Sequence, residues 1–155
     1  MARNERTIRA RPDEIFDLLS DARGYGHWVV GSKEIRDVDA GFPGVGTRFH
    51  HRVGVGPFTW ADHTEVLACE RPRRLRLRAK VRPFGTALVT IELFAMPDGT
   101  TKATLVEDGG DPLSKLLFLP LTHLLVRGRN VESLRRLQAM AEGRGPTMEQ
   151  AARGE

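Results

Sequence analysis

The middle of the chain consists of short strand-like runs separated by turn signals, and this spacing constrains the fold more than any other feature. Between the runs lie GFPGVG, GVGP, ERPR, RPFG and MPDGT, which are rich in residues that preset turn geometry. Turns this short leave no room for helical crossovers, so successive strands must pair antiparallel. The sequence therefore predicts an antiparallel meander of six strands: Lys33–Asp39, Gly46–Val55, Phe58–Cys69, Arg73–Val81, Thr86–Met96 and Thr101–Asp108.

Helical patterns flank the predicted meander on both sides. Ahead of it, Arg3–Ala10 is predicted to be an edge strand, and RPDEIFDLLSD a short helix with Pro12 in its first turn. The segment DARGYGHWVVG is predicted to form a second helical turn. After Asp111, a predicted N-cap, apolar residues recur at helical spacing. They predict one long C-terminal helix through Leu117, Leu121, Leu124, Leu125, Val131, Leu134, Leu137 and Ala141.

The chain has a length typical of one domain with a substantial buried core, at 155 residues. From Gly143 onward the apolar stripe of the C-terminal helix is lost. We therefore expect a single domain over residues 1–142, a flexible tail over 143–155, and a monomer or homodimer.

Neither a membrane span nor a disulfide is expected. The N-terminal segment lacks the apolar core of a secretory signal. The most apolar run, Leu116–Leu125, is about half as long as a membrane-spanning helix. Cys69 is the only cysteine, so no intrachain disulfide can form. We therefore expect a cytoplasmic protein without stable membrane insertion.

The stretch RPRRLRLRAKVR, Arg71–Arg82, is the most basic part of the chain. Apolar residues alternate in it with arginine and lysine, and successive strand side chains point to opposite faces. Such a run is also typical of a phosphate-binding surface, but aromatic residues for base stacking are missing from it. We therefore expect a solvated charged face, an apolar inner face and no nucleic-acid partner.

The order of elements and several motifs together resemble one protein family. The motifs are PDEIFDLLSDARGYGHW, GVGTRF, PRRL, DGTTKATLVED and RNVESLRRL. Over residues 3–142 the chain resembles the polyketide cyclase/dehydrase family of the START-like (SRPBCC, Bet v 1-like) superfamily. The resemblance implies an α+β helix-grip fold, in which a curved antiparallel sheet wraps a long C-terminal helix and encloses a cavity for an apolar small molecule. It also implies that Trp28 lies near one end of that cavity.

Within such a fold, one parity of each strand faces the cavity. The apolar parity includes Phe49 and Val53 on one strand and Leu105 on another, and His51 and Glu107 share it. Buried polar groups need partners and often orient ligands, although a purely structural hydrogen bond would also explain them. A carboxylate placed there without a cationic partner is expected to have a raised pKa.

In the predicted strand Phe58–Cys69 the apolar residues occur on both parities, which indicates a bulge. Trp60, Asp62 and His63 on it are therefore candidates of unknown orientation. The full set of predicted ligand contacts is Trp28, Phe49, His51, Val53, Trp60, Asp62, Leu77, Ala79, Val89, Ile91, Leu105, Glu107, Leu121, Leu124, Leu125 and Gly128.

Two functions fit these predictions. The first is a binding module for an apolar molecule such as a lipid, a polyketide or an isoprenoid-like compound. The alternative is an aromatase/cyclase-type enzyme, with His51 and Glu107 as acid–base groups and Asp62 or His63 as helpers. No metal or cofactor is expected, because His50 and His51 point to opposite faces of a strand and the sequence has no HExxH, CxxC or GxSxG motif.

Overall fold

The computed structural model describes the backbone of residues 1–55, 57–80, 85–110 and 120–153, and their side chains except those of 33, 53–55, 120–123 and 144–153. The strands and helices follow the predicted order. They are β1 (Ala2–Ile8), α1 (Pro12–Leu19), a 3₁₀ turn (Ala22–Gly24), α2 (Tyr25–Trp28), β2 (Ser32–Val38), β3 (Arg48–Val55), β4 (Phe58–Glu70), β5 (Arg74–Lys80), β6 (Thr86–Ala95), β7 (Thr101–Gly109) and α3 (Pro120–Arg153).

The seven strands form one antiparallel sheet in the order β1-β7-β6-β5-β4-β3-β2. Strands β2 to β7 pair as consecutive neighbours, as their short turns require. β1 lies at one edge, where Ala2 pairs with Glu107 and Ile8 pairs with Thr101. The sheet, the long C-terminal helix and the two short helices after β1 confirm the predicted α+β helix-grip fold.

Helix α3 contacts β1, β7, α1 and α2. Its inner side carries Leu134, Leu137 and Ala141, each at most 2% exposed and spaced as residues on one helical face are. Glu142 also accepts a hydrogen bond from the backbone N–H of Arg9 at 3.0 Å. The helix is therefore held to the edge of the sheet by polar contacts as well as by packing.

Two leucines that were predicted to lie on the inner side of α3 point to solvent instead. Leu124 and Leu125 are 65% and 70% exposed, and Gly128 is exposed as well. The predicted burial is wrong because the apolar residues of α3 occupy two faces. Leu124 lies seven residues before Val131, which is 47% exposed, and therefore shares its outward face. The Leu121 side chain lies outside the described residues.

Of the two ends of α3, only the C-terminal one can be compared with expectation, and it differs. The predicted start at Asp111 lies outside the described residues. At the other end the helix continues past Gly143 to Arg153, although this segment contains Gly143, Gly145 and Pro146, which are poor helix formers. The domain limits and the flexible tail stay predictions.

None of the helices in the described ranges is both long enough and apolar enough to cross a membrane. The cytoplasmic location stays a prediction.

Strand β5 has the predicted alternation of buried and exposed side chains. Leu75 and Leu77 are buried, whereas Arg78 and Lys80 are exposed. A carboxylate of the neighbouring strand partly offsets the charge, because Oε2 of Glu65 lies 3.9 Å from Nη1 of Arg78. The charged side of β5 is thus a solvated face, and the absence of a nucleic-acid partner stays a prediction.

Strand β4 contains the predicted bulge. Its register with β5 shifts between Val66 and Ala68, and an extra residue in a strand changes which parity faces inward beyond it. Asp62, Thr64 and Val66, on one parity before the shift, are all buried. The bulge explains why a single parity did not fit this strand.

Candidate functional site

A pocket of about 130 Å³ lies between the sheet, the segment after α2 and the inner side of α3. Most of its wall is apolar. The strands contribute Phe49, His51, Thr64, Leu77, Ala79, Ala87, Val89, Ile91, Leu105 and Glu107. The two helices, the segment between α2 and β2, and the first residue of β2 contribute Tyr25, Trp28, Val29, Val30, Gly31, Ser32, Arg129, Asn130 and Ser133.

Tyr25 holds the aromatic part of the wall together. Its ring centroid lies 4.9 Å from that of Trp28 and 5.1 Å from that of Phe49. Its hydroxyl donates a hydrogen bond to the backbone carbonyl of Leu19 at 2.6 Å, and burial raises the pKa of this hydroxyl. The phenol therefore stays protonated as a donor and fixes the orientation of the ring.

A side chain of α3 fixes the segment that follows α2. The backbone N–H of Val30 donates to Ser133 Oγ at 3.0 Å. Because both residues line the pocket, this bond joins two of its walls.

His51 lies in the wall on β3 and is 6% exposed. Its Nε2 is hydrogen-bonded to Thr64 Oγ1 at 2.9 Å. Burial lowers the pKa of this imidazole, and the carboxylate of Asp62, its cross-strand partner, opposes that effect only in part. The ring is therefore neutral at pH 7 and has one nitrogen that accepts and one that donates.

Glu107 lies in the wall on β7 and is 5% exposed. Its carboxylate accepts a hydrogen bond from Nη2 of Arg129 on α3. The same Nη2 lies 3.4 Å from Oδ1 of Asn130. A raised pKa was expected for Glu107 only if its carboxylate had no cationic partner. That condition is not met, because Arg129 on α3 is the partner.

The structure brings together most of the predicted contact residues. Trp28, Phe49, His51, Leu77, Ala79, Val89, Ile91, Leu105 and Glu107 all line the pocket. Asp62 is buried opposite His51 but is not in the wall, and Trp60 is 38% exposed outside it. The side chains of Val53 and Leu121 lie outside the described residues, and Leu124, Leu125 and Gly128 face away. For all of these residues outside the described wall, the role of ligand contact stays a prediction.

Several wall residues were not predicted, and some of them had a signal in the sequence. Ala87 has the parity of Val89 and Ile91 on β6. Asn130 and Ser133 continue the helical face of Leu137 toward the N-terminus of α3, but polar residues do not appear in an apolar pattern. Thr64 has the parity of Asp62 and Val66 on β4, whereas Arg129 and the segment 29–32 had no such signal.

Within the ranges that the structure describes, no three side chains of His, Cys, Asp or Glu lie close enough together to hold a metal ion. His50 and His63 do face each other across β3 and β4, with ring centroids 6.0 Å apart.

Comparison with known proteins gives a family and several structural neighbours. Residues 2–142 match a family model described as polyketide cyclase / dehydrase and lipid transport. Protein MLL2253 from Mesorhizobium loti is 18% identical, with a TM-score of 0.67 over 91% of this chain and 96% of that chain. Ara h 8.0201 is 15% identical, with a TM-score of 0.67 and the same coverage of both chains. The protein TTHA0849 from Thermus thermophilus is 19% identical, with a TM-score of 0.62 over 92% of this chain and 97% of that chain. No curated protein matches the chain.

At identities this low, the likeness to solved structures shows a shared fold alone. The family model is independent of them and spans nearly the whole chain, so it confirms the resemblance indicated by the motifs. The chain therefore belongs to the polyketide cyclase / dehydrase and lipid transport family and has its Bet v 1-like helix-grip fold.

Proposed function

We propose that the protein binds an apolar small molecule, such as a lipid, a polyketide or an isoprenoid-like compound, in the pocket between the sheet and α3. The observation that carries this proposal is the largely apolar wall, built from side chains such as Leu77, Val89, Ile91 and Leu105. Ligand pockets are typically apolar concavities with a few placed polar groups. The wall has this composition.

The size of the pocket indicates what part of a ligand would occupy it. An apolar cavity of about 150 Å³ is large enough to bind benzene. A volume of about 130 Å³ therefore suits a ring-sized apolar group. The family description, which names lipid transport beside polyketide cyclase and dehydrase, supports a small-molecule ligand without choosing the class.

Filling the pocket tests the proposal. Ala87 lines the pocket on β6, whereas Ala95 is exposed near the end of the same strand. In an NMR titration with α-methylstyrene we expect saturable shifts of pocket amides in the wild type and in Ala95→Phe, but not in Ala87→Phe. Native mass spectrometry of freshly purified protein should also detect a co-purified molecule in the first two. Absence of saturable shifts in the wild type would overturn the proposal.

A second candidate function is acid–base catalysis on the bound molecule, as in an aromatase/cyclase-type enzyme. One observation favours it: His51 and Glu107 line the same apolar pocket, and an imidazole kept neutral by burial can accept a proton. With a short poly-β-keto thioester as substrate, His51→Phe and Glu107→Gln should lower kcat far more than they weaken binding. Unchanged turnover in both variants would contradict this candidate.

A further inference from the structure

Two buried N–H groups in the pocket wall have no acceptor within the part of the chain that the structure describes. They are the indole Nε1–H of Trp28 and the amide Nδ2 of Asn130. Both residues line the pocket, and each is 2% exposed. A buried donor without an acceptor loses its bonds to water and gains nothing in return, so native proteins contain few of them. Two such donors on residues of one wall call for an acceptor that the described part of the chain does not supply.

The other buried polar side chains of the wall already have partners. His51 is bonded to Thr64, and Ser133 accepts from the backbone of Val30. Glu107 accepts from Arg129. Among the side-chain nitrogen and oxygen atoms of the wall that are closed to solvent, only the N–H groups of Trp28 and Asn130 lack a partner in the described part of the chain, and both are donors.

Charge determines which kind of acceptor fits. The carboxylate of Glu107 offsets the guanidinium of Arg129, so this pair leaves no net charge in the wall. The two unused donors are neutral N–H groups. An anionic oxygen would have to be desolvated without a counter-charge, whereas a neutral carbonyl oxygen can accept two N–H bonds at a smaller desolvation cost.

We propose that Trp28 and Asn130 form a polar subsite that binds a neutral carbonyl oxygen of an otherwise apolar ligand. This inference rests on the proposed function, since it adds one polar contact to the apolar pocket. Trp28 and Asn130 would determine which apolar molecules bind, because a ligand without an acceptor would leave both donors unpaired.

Three ring-sized probes of nearly equal shape separate the possibilities. Acetophenone carries the neutral carbonyl, α-methylstyrene replaces its oxygen with a methylene group, and benzoate carries a carboxylate. The indole N–H signals of the protein report directly in ¹⁵N-labelled samples, with Trp28→Phe assigning one of the two. Acetophenone should move the Trp28 signal downfield, as a new hydrogen bond does, and leave Trp60 unchanged because that residue is outside the wall. The titration itself uses the wild-type chain, and the variant serves only to assign its two indole signals.

A matched pair of variants tests the amide. Asn130→Leu removes the unpaired donor from the wall, whereas Asn4→Leu replaces another buried asparagine with an unpaired atom, on β1 and outside the wall. The affinity for acetophenone relative to α-methylstyrene should fall about tenfold in Asn130→Leu, because an unpaired buried carbonyl is unfavourable, and change less than about twofold in Asn4→Leu.

The outcomes distinguish this inference from the proposed function. If α-methylstyrene and acetophenone both bind, but Asn130→Leu leaves their affinity ratio unchanged and the Trp28 signal does not move, the inference is overturned and the proposed function stands. Tighter binding of benzoate than of acetophenone would overturn it in the same way. If neither neutral probe binds the wild type, the proposed function is overturned together with the inference.

Discussion

Glu107 on β7 and Arg129 on α3 form an ion pair in the wall of the pocket. The Glu107 side chain is 6% exposed and that of Arg129 is 35% exposed. The pair therefore joins sheet and helix where the proposed ligand would lie between them. Loss of one member of a buried pair is more harmful than loss of both, because it leaves an uncompensated buried charge.

We predict that Arg129→Met lowers the free energy of unfolding by about 3 kcal/mol, the lower end of the range for a broken buried pair, since water reaches part of the guanidinium. The double variant Glu107→Leu/Arg129→Met should recover most of that loss. Urea denaturation of both variants measures the difference. Arg135→Met is the control, because Arg135 pairs with Glu132 on the solvent side of α3 and should change stability little. A double variant as unstable as Arg129→Met would contradict the prediction.

The two faces of α3 predict a large loss of stability for one leucine variant and almost none for another. Leu137 is fully buried, so Leu137→Ala should destabilise the fold by about 2 to 5 kcal/mol through lost burial and a residual cavity. Leu124 is 65% exposed, so Leu124→Ala should change the free energy of unfolding by less than about 0.5 kcal/mol. Thermal and urea unfolding of the two variants provide the comparison. Equal losses would show that the helix has a different rotation about its axis.

The basic face of β5 predicts an absence of specific nucleic-acid binding. Nη1 of Arg74 lies 4.0 Å from Oε1 of Glu70, and Nη1 of Arg78 lies 3.9 Å from Oε2 of Glu65. Part of the positive charge is therefore offset locally. Titration with duplex and single-stranded oligonucleotides near physiological salt should show no binding tighter than the micromolar range that charge alone gives. Sub-micromolar binding that is lost in Arg74→Glu and Arg76→Glu would contradict the prediction.

The strands were predictable because their signals are local. Turn residues fix where a strand ends, and side chains alternate with a period of two, so the inward direction of His51 and Glu107 followed from neighbours two residues away. The same reasoning failed on β4, where the bulge near Val66 changes the parity and only the register with β5 locates the extra residue.

The contributions of α3 to the pocket were not predictable in the same way. Its apolar residues occupy two faces, so their spacing did not determine which face packs on the sheet, and Leu124 was assigned to the wrong one. The rotation of the helix about its axis decides this, and that rotation depends on contacts with distant parts of the chain. Arg129 and Asn130 enter the wall for the same reason, although neither has a sequence signal that ties it to Glu107 or Trp28.

His51 makes the stability of the fold depend on pH. Burial holds the pKa of its imidazole below the ordinary value of 6.5, and the Asp62 carboxylate offsets only part of that effect. As the pH falls below about 6.5, the unfolded chain therefore binds more protons at this position than the folded chain does. The contribution of neutral His51 to stability is complete above that pH and is lost as the pH falls toward the pKa of the folded state. We expect the urea midpoint to decrease between about pH 7 and pH 5.

Two histidine variants separate this effect from the titration of other groups. His51→Gln keeps a polar side chain of similar length without a titrating ring, and its urea midpoint should vary less with pH over the same interval. His63→Gln is the control: burial lowers the pKa of His63 as well, but its ring is partly exposed and the expected change in pH dependence is smaller. If the urea midpoints of the wild type and His51→Gln had the same pH dependence, the imidazole of His51 would be protonated equally in the folded and unfolded states. That result would contradict the prediction that His51 is buried as a neutral ring.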